Sequence, residues 1–144
     1  MRDNPTMPNT RTHRHLDPAL CGRPIHLGAG SSLVELATSE AMRADEEGLV
    51  HGGFVFGLAD HAAMLAVDEP TVVLAAAEVR FTAPVVVGER LEASAEVEQS
   101  EGRRRRVAVT VRRAAPGEEA GATVMTGRFE CYVPERHVLA GRPA

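Results

Sequence analysis

The sequence predicts an α+β domain in which a curved antiparallel sheet wraps around one central apolar helix. Two observations carry this expectation. The run GGFVFGLADHAAMLAV, Gly52 to Val67, is apolar on nearly every face, so it reads as a buried helix. Four later segments instead repeat with a period of two, each with one apolar and one polar face. A sheet with one wet face needs a cover on the other, and the apolar helix supplies it.

The elements follow in order. The N-terminal stretch MRDNPTMPNTRTHRHLD is polar and rich in Pro, Asn and Arg, so a flexible tail is expected to about Pro18. We expect one domain over residues 21–135, with tails at 1–20 and 136–144. Pro24 to Leu27 and Ser32 to Met42 read as extended. The second admits two readings: Leu33, Leu36 and Ala37 fit a helical stripe, whereas Val34, Leu36 and Thr38 alternate with Glu35 and Ala37 as in a strand. Asp45 to Gly48 is a polar turn. The central helix is rich in Ala and Leu and ends at Asp68-Glu69-Pro70. The alternating strands centre on Val79–Ala83, Leu91–Val97, Val107–Val111 and Met125–Val133. Turn signals at Pro84–Gly88, Ser100–Gly102 and Pro116–Gly121 separate them.

Composition bounds the chemistry. At 144 residues the chain fits a single domain, and its 44% apolar and 25% charged content is that of a globular protein. A net charge of −4 argues against general nucleic-acid binding. All 16 basic residues are Arg, which excludes a Schiff-base lysine and a P-loop lysine. No apolar run is long enough to span a membrane and none follows the N-terminal charges as in a secretory signal. Cys21 and Cys131 are read as free thiols, which together with the missing signal predicts a cytoplasmic protein. There is no HExxH, CxxC, G-x-S-x-G or dinucleotide fingerprint, so neither a metal nor a cofactor is expected.

One residue breaks the helix pattern. Asp60 is the only acid between Gly52 and Val67, and ionised carboxylates are rarely buried without a reason. By itself it could serve a site or an interface. His51-Gly52-Gly53 stands directly before the apolar run. Two glycines at a helix start expose N–H groups at the positive end of the helix dipole, a place suited to an oxyanion or a thioester carbonyl. A plain turn into the helix would look the same.

The segment GLVHGGFVFGLADHAAMLA resembles the signature of hotdog-fold thioesterases of the phenylacetate-pathway (PaaI-like) type. Gly48, His51, Gly52, Gly53, Leu58, Ala59 and Asp60 match in type and spacing, and AAAEVRFTAPVVVGERLEASAEV resembles the strands that follow. The resemblance covers about Gly22 to Val133. It implies hydrolysis of an acyl-CoA thioester, small or medium in its acyl part, without metal or cofactor. It implies a homodimer or a dimer of dimers, each site taking His51 and Gly52 from one chain and Asp60 from the other. Gly52 would polarise the carbonyl, Asp60 would act as base or nucleophile, and His51 would orient the thioester. Gly53, Asp45 and Phe54 would lie on the substrate side. Asp45 departs from the pattern, which carries Asn there; an added negative charge raises the pKa of a carboxylate beside it.

The strands around RFTAPVVVGERL and the ending GRFECYV also resemble the acyl-CoA-sensing hotdog domain of a fatty-acid regulator, which implies an alternative: binding without turnover. Three further features have plainer readings. His61 is expected in the core or an interface, because helix neighbours do not face each other. The run Arg103–Arg106 reads as a solvated hairpin start with alternate side chains on both faces, although it could meet the phosphates of CoA. Phe54, Phe56 and Met64 could line an acyl pocket, but core packing explains each.

Overall fold

The computed structural model describes residues 8–114 and 121–143. Six strands form one antiparallel sheet: β1 (Arg23–Gly28), β2 (Ser31–Ala37), β3 (Val73–Phe81), β4 (Arg90–Glu101), β5 (Arg104–Arg113) and β6 (Thr123–Tyr132). Their order across the sheet is β1-β2-β4-β5-β6-β3. A short helix, α1 (Pro18–Cys21), precedes β1, and the long helix α2 (Gly52–Val67) lies across the sheet. This is the hotdog fold, with α2 as its filling.

The α2 boundaries coincide with the apolar run. Nine of its residues, from Val55 to Ala66, are buried, and the helix packs chiefly on β2, β4 and β5. The facing strand residues are the inward half of each alternation: Val34 and Leu36, Leu91 and Ala93, Val107, Val109 and Val111. Asp68 ends the helix in a left-handed conformation, φ 49°, with its N–H on the Met64 carbonyl.

Towards β6 and β3 the sheet runs past the helix. Phe129 and Cys131 of β6 still point inward and are buried. Ala77, Val79 and Phe81 sit opposite Phe129, Gly127 and Met125, which puts them on the same inner face. Phe81 is 54% exposed there, and Ala75–Ala77 are exposed on the outermost strand. Gly127 is required at its place: a Cβ would meet Val79 Cγ1 at 2.7 Å and Phe129 Cε1 at 3.1 Å.

Three expectations need correction. The extended reading of Ser32–Met42 holds only to Ala37; Glu40–Met42 is a 3-10 turn that buries Met42 in the core. The strand expected to begin near Glu78 begins at Val73, because its first half is a run of alanines without alternation. The polar stretch before Pro18, where described, is docked: Arg11 N–H donates to Asp68 Oδ1 at 2.8 Å and Thr12 is buried. Most of the expected Pro116–Gly121 turn lies outside the described residues.

Candidate active site

The loop before α2 is a small hairpin. Arg43 and Val50 form a bridge, Ala44 N–H donates to the Leu49 carbonyl at 2.7 Å, and His51 N–H donates to the Met42 carbonyl at 2.9 Å. Asp45 turns this hairpin. Its Oδ1 accepts the N–H groups of Glu47 at 3.0 Å and Leu49 at 3.1 Å, and the residue is exposed. Short acidic side chains favour such turns because they replace a backbone acceptor.

The hairpin delivers His51 to the cap position of α2. Its imidazole makes no capping bond. It folds back over Gly53, where a Cβ would meet ring atoms at 2.9 Å. It also meets Phe54 edge-on, ring centroids 6.1 Å apart. The Gly52 and Gly53 N–H groups have no acceptor among the described residues, as expected for the first turn of a helix. The Phe81 ring lies beside Gly52, at ordinary contact distance from where a Cβ would stand. Unpaired donors at the helix start therefore border an apolar wall.

Asp60 stands two turns further on. Its residue is half-buried, and its Oδ1 is fully buried without a hydrogen-bond partner among the described residues. Burial pushes its carboxyl above the usual carboxylate range. The charge on Asp60 reaches Cys131, whose thiol is pushed up to about 12, first by burial and then by Asp60 and Glu130. On the same helix face Phe56 stacks at a tilt on Phe129, centroids 5.5 Å apart, and Gly57 has open space where a Cβ would be.

His51, Gly52, Gly53 and Phe54 are thus grouped at one end of α2, with Asp45 in the hairpin below. Asp60 is not with them. Gly52 and Asp60 are eight positions apart, and a rise of about 1.5 Å per residue separates them by about 12 Å along the axis. The other candidates have structural places. His61 is buried, with Nδ1 3.0 Å from the Cys21 carbonyl. Met64 is fully buried in the core. Arg103 and Arg106 pair with Glu135 and Glu130 at the surface. Phe81 and Cys131 border the site but were not singled out from the sequence; only the pairing of β3 with β6 places them. Among the described residues no three His, Cys, Asp or Glu side chains form a metal-binding group. No helix there is long and apolar enough to cross a membrane.

The fold and this helix end define a class of protein: residues 47–120 match the Thioesterase superfamily model, and the chain belongs to that family. Among solved structures it is similar to the uncharacterized protein PH1136 from Pyrococcus horikoshii, 51% identical, TM-score 0.84, covering 93% of this chain and 98% of that one. It is also similar to a mutant of the phenylacetic acid degradation protein PaaI from Thermus thermophilus, 26% identical, TM-score 0.71, covering 82% of this chain and all of that one. Curated relatives include a methylthioribose-1-phosphate isomerase of Aquifex aeolicus, 46% identical over 69% of this chain. Another is the transcription factor FapR of Bacillus cereus, 33% identical over 70% of this chain. The chain spans only 22% of the first and 48% of the second.

Proposed function

We propose that the protein hydrolyses the thioester of a small or medium acyl-CoA, with Asp60 as the carboxylate that drives the reaction. The observation that carries this reading is the unpartnered, buried Oδ1 of Asp60 in an otherwise apolar helix. Such an atom costs stability, and a carboxylate kept more basic than usual by burial is suited to taking a proton from water.

Water adds to the thioester carbon as Asp60 accepts its proton. The carbonyl oxygen becomes an oxyanion held by the N–H groups at the start of α2, Gly52 foremost. The C–S bond then breaks and the thiolate leaves as a thiol after taking up a proton. Direct attack by Asp60 would pass instead through an acyl-carboxylate anhydride that water opens. An oxyanion donor of this kind contributes about 3 kcal/mol. His51, folded over Gly53, orients the group entering there, and Asp45 and Phe54 flank it.

Gly52 and Asp60 of one chain stand too far apart for this chemistry. The oxyanion and the attacking water must share one carbon, whereas Gly52 and Asp60 stand about 12 Å apart along one helix axis. This separation supports the composite site that the resemblance implies: Gly52 and His51 of one copy with Asp60 of another, in a homodimer or a dimer of dimers. The alanine-rich outer strand β3 and the open side of α2 at Gly57 suit such pairing. Two free cysteines fit a cytoplasmic location.

The match to FapR favours a second reading, an acyl-CoA binder that does not turn its ligand over. Free-thiol release with short, long and aromatic acyl-CoAs separates the two. Turnover of small or medium acyl-CoAs supports the hydrolase; saturable binding without thiol release from any of them sinks it in favour of the sensor.

A further inference from the structure

The docked arm, residues 8–17, borders an open cavity of about 490 Å³ that reaches α2 at His61, the residue after Asp60. Its walls include His13 and Arg14 of the arm, His61 of α2, and Pro18, Gly22 and Pro24 around α1 and β1. Three features of this cavity need explaining together. No carboxylate among the described residues lines it. Its titratable walls are two imidazoles close enough that His61 disfavours a charge on His13. And His13 is held in a left-handed backbone conformation, φ 52°, one of only two non-glycine residues so placed among those described. Strain of this kind persists only where the surroundings enforce it, and it gathers at ligand sites.

The neighbouring charges are already engaged elsewhere. Asp68 accepts the Arg11 N–H and Glu69 pairs with the Arg11 guanidinium at 3.7 Å. Asp17 caps α1 through Ala19 N–H at 2.9 Å. The Cys21 carbonyl takes His61 Nδ1, and its thiol is held protonated by burial, Asp17 and Asp60. Thr12 Oγ1 lies 2.8 Å from His13 Nδ1. The polar residues left to line the cavity are His13, His61 and the exposed Arg14, with Asn9 and Thr10.

A metal ion does not suit this set: two imidazoles without a third ligand bind it poorly, and a guanidinium repels it. An oxyanion suits it well. We propose that the cavity between the arm and α2 is a binding site for a phosphate-type dianion, held by His13, His61 and Arg14. Two imidazoles and a guanidinium lining one cavity can supply several donors to the acceptor oxygens of a tetrahedral phosphate, and the planar guanidinium is suited to two of them. Burial disfavours the charged form of both imidazoles; the His61 charge adds to this at His13, and the Cys21 carbonyl partly offsets it at His61. Binding then takes up protons, so affinity rises as pH falls through the imidazole range.

The test uses the full chain. Inorganic phosphate is titrated while the imidazole C–H resonances of His13 and His61 are followed, at about pH 6 and about pH 8. We expect saturable shifts of both rings and affinity at least about tenfold weaker at the higher pH. His13→Asn keeps a residue that tolerates the left-handed backbone but removes the imidazole; Arg14→Ala removes an exposed side chain. Each should weaken phosphate at least about tenfold and leave acyl-CoA turnover unchanged. Coenzyme A displacing phosphate would identify a phosphorylated end of CoA as the source; phosphate binding without such competition would identify free phosphate. Absence of saturable shifts, or undiminished affinity in both variants, overturns the proposal.

Discussion

The carboxylate of Asp60 on α2 and the thiol of Cys131 on β6 share one buried region, and the charge of the first helps keep the proton on the second. Among the described residues, the buried Oδ1 of Asp60 has no hydrogen-bond partner to offset its burial. Burial of a carboxylate in this way costs stability in general.

Asp60→Asn should therefore cut kcat by roughly 100-fold or more while the protein stays folded. It should also raise stability at neutral pH. The folded-state carboxyl has a raised pKa, so the ionised form is disfavoured by folding. That destabilisation is present at neutral pH and disappears as pH falls through the raised value towards the ordinary Asp range. A Tm higher by about 2–4 °C near pH 7, with the gap closing in acid, is the expected signature. Wild-type kcat/KM should fall on the acid side at a pH above the ordinary Asp range. Equal Tm values at every pH would show that burial of Asp60 does not destabilise the fold.

The composite site can be tested by mixing subunits. Asp60→Asn and His51→Ala homomers should each be strongly impaired. Unfolding and refolding them together makes mixed dimers in about half of the assemblies, each with one intact site, so about one quarter of wild-type activity should return. No recovery, with mixing verified by mass, would place His51 and Asp60 of the same chain in one site or outside the mechanism.

Gly53→Ala addresses the position of the His51 ring. The added methyl would overlap ring atoms at 2.9 Å, but the ring is exposed and can swing away. Thermal unfolding should therefore change by less than about 1 kcal/mol, while kcat/KM falls about tenfold. Loss of stability without loss of activity would be the contrary result.

Gly127→Ala should act in the opposite sense. Its methyl would press on the Val79 side chain, on the Glu78 backbone carbonyl and on the fully buried Phe129. Denaturant unfolding should show a loss of about 1–3 kcal/mol.

Much of this was legible in the residues, and the reasons differ by element. The central helix was legible from end to end because an all-apolar run of that length has one stable place. Strands β4, β5 and β6 announced themselves by alternation. The start of β3 did not, since Val73–Ala77 is a small apolar run on an outer strand where neither face is fully buried. The end of β2 was hidden because Met42 is buried from a 3-10 turn, and burial alone does not report backbone geometry. The docked arm was hidden for another reason: it is tied down by a backbone N–H and one buried Thr, which composition does not reveal. At the site, the lone acid and the glycine pair were visible in sequence and the family resemblance implied a second copy; their separation of about 12 Å within a chain, from helix rise, is consistent with that implication.

Asp68 joins two otherwise unrelated tasks. Its backbone turns the chain off the end of α2, and its side chain moors the arm at Arg11. Glycine performs the first task more easily than aspartate and the second not at all. Asp68→Gly is thus a natural way to unlatch the N-terminal segment while leaving the helix and everything it carries in place.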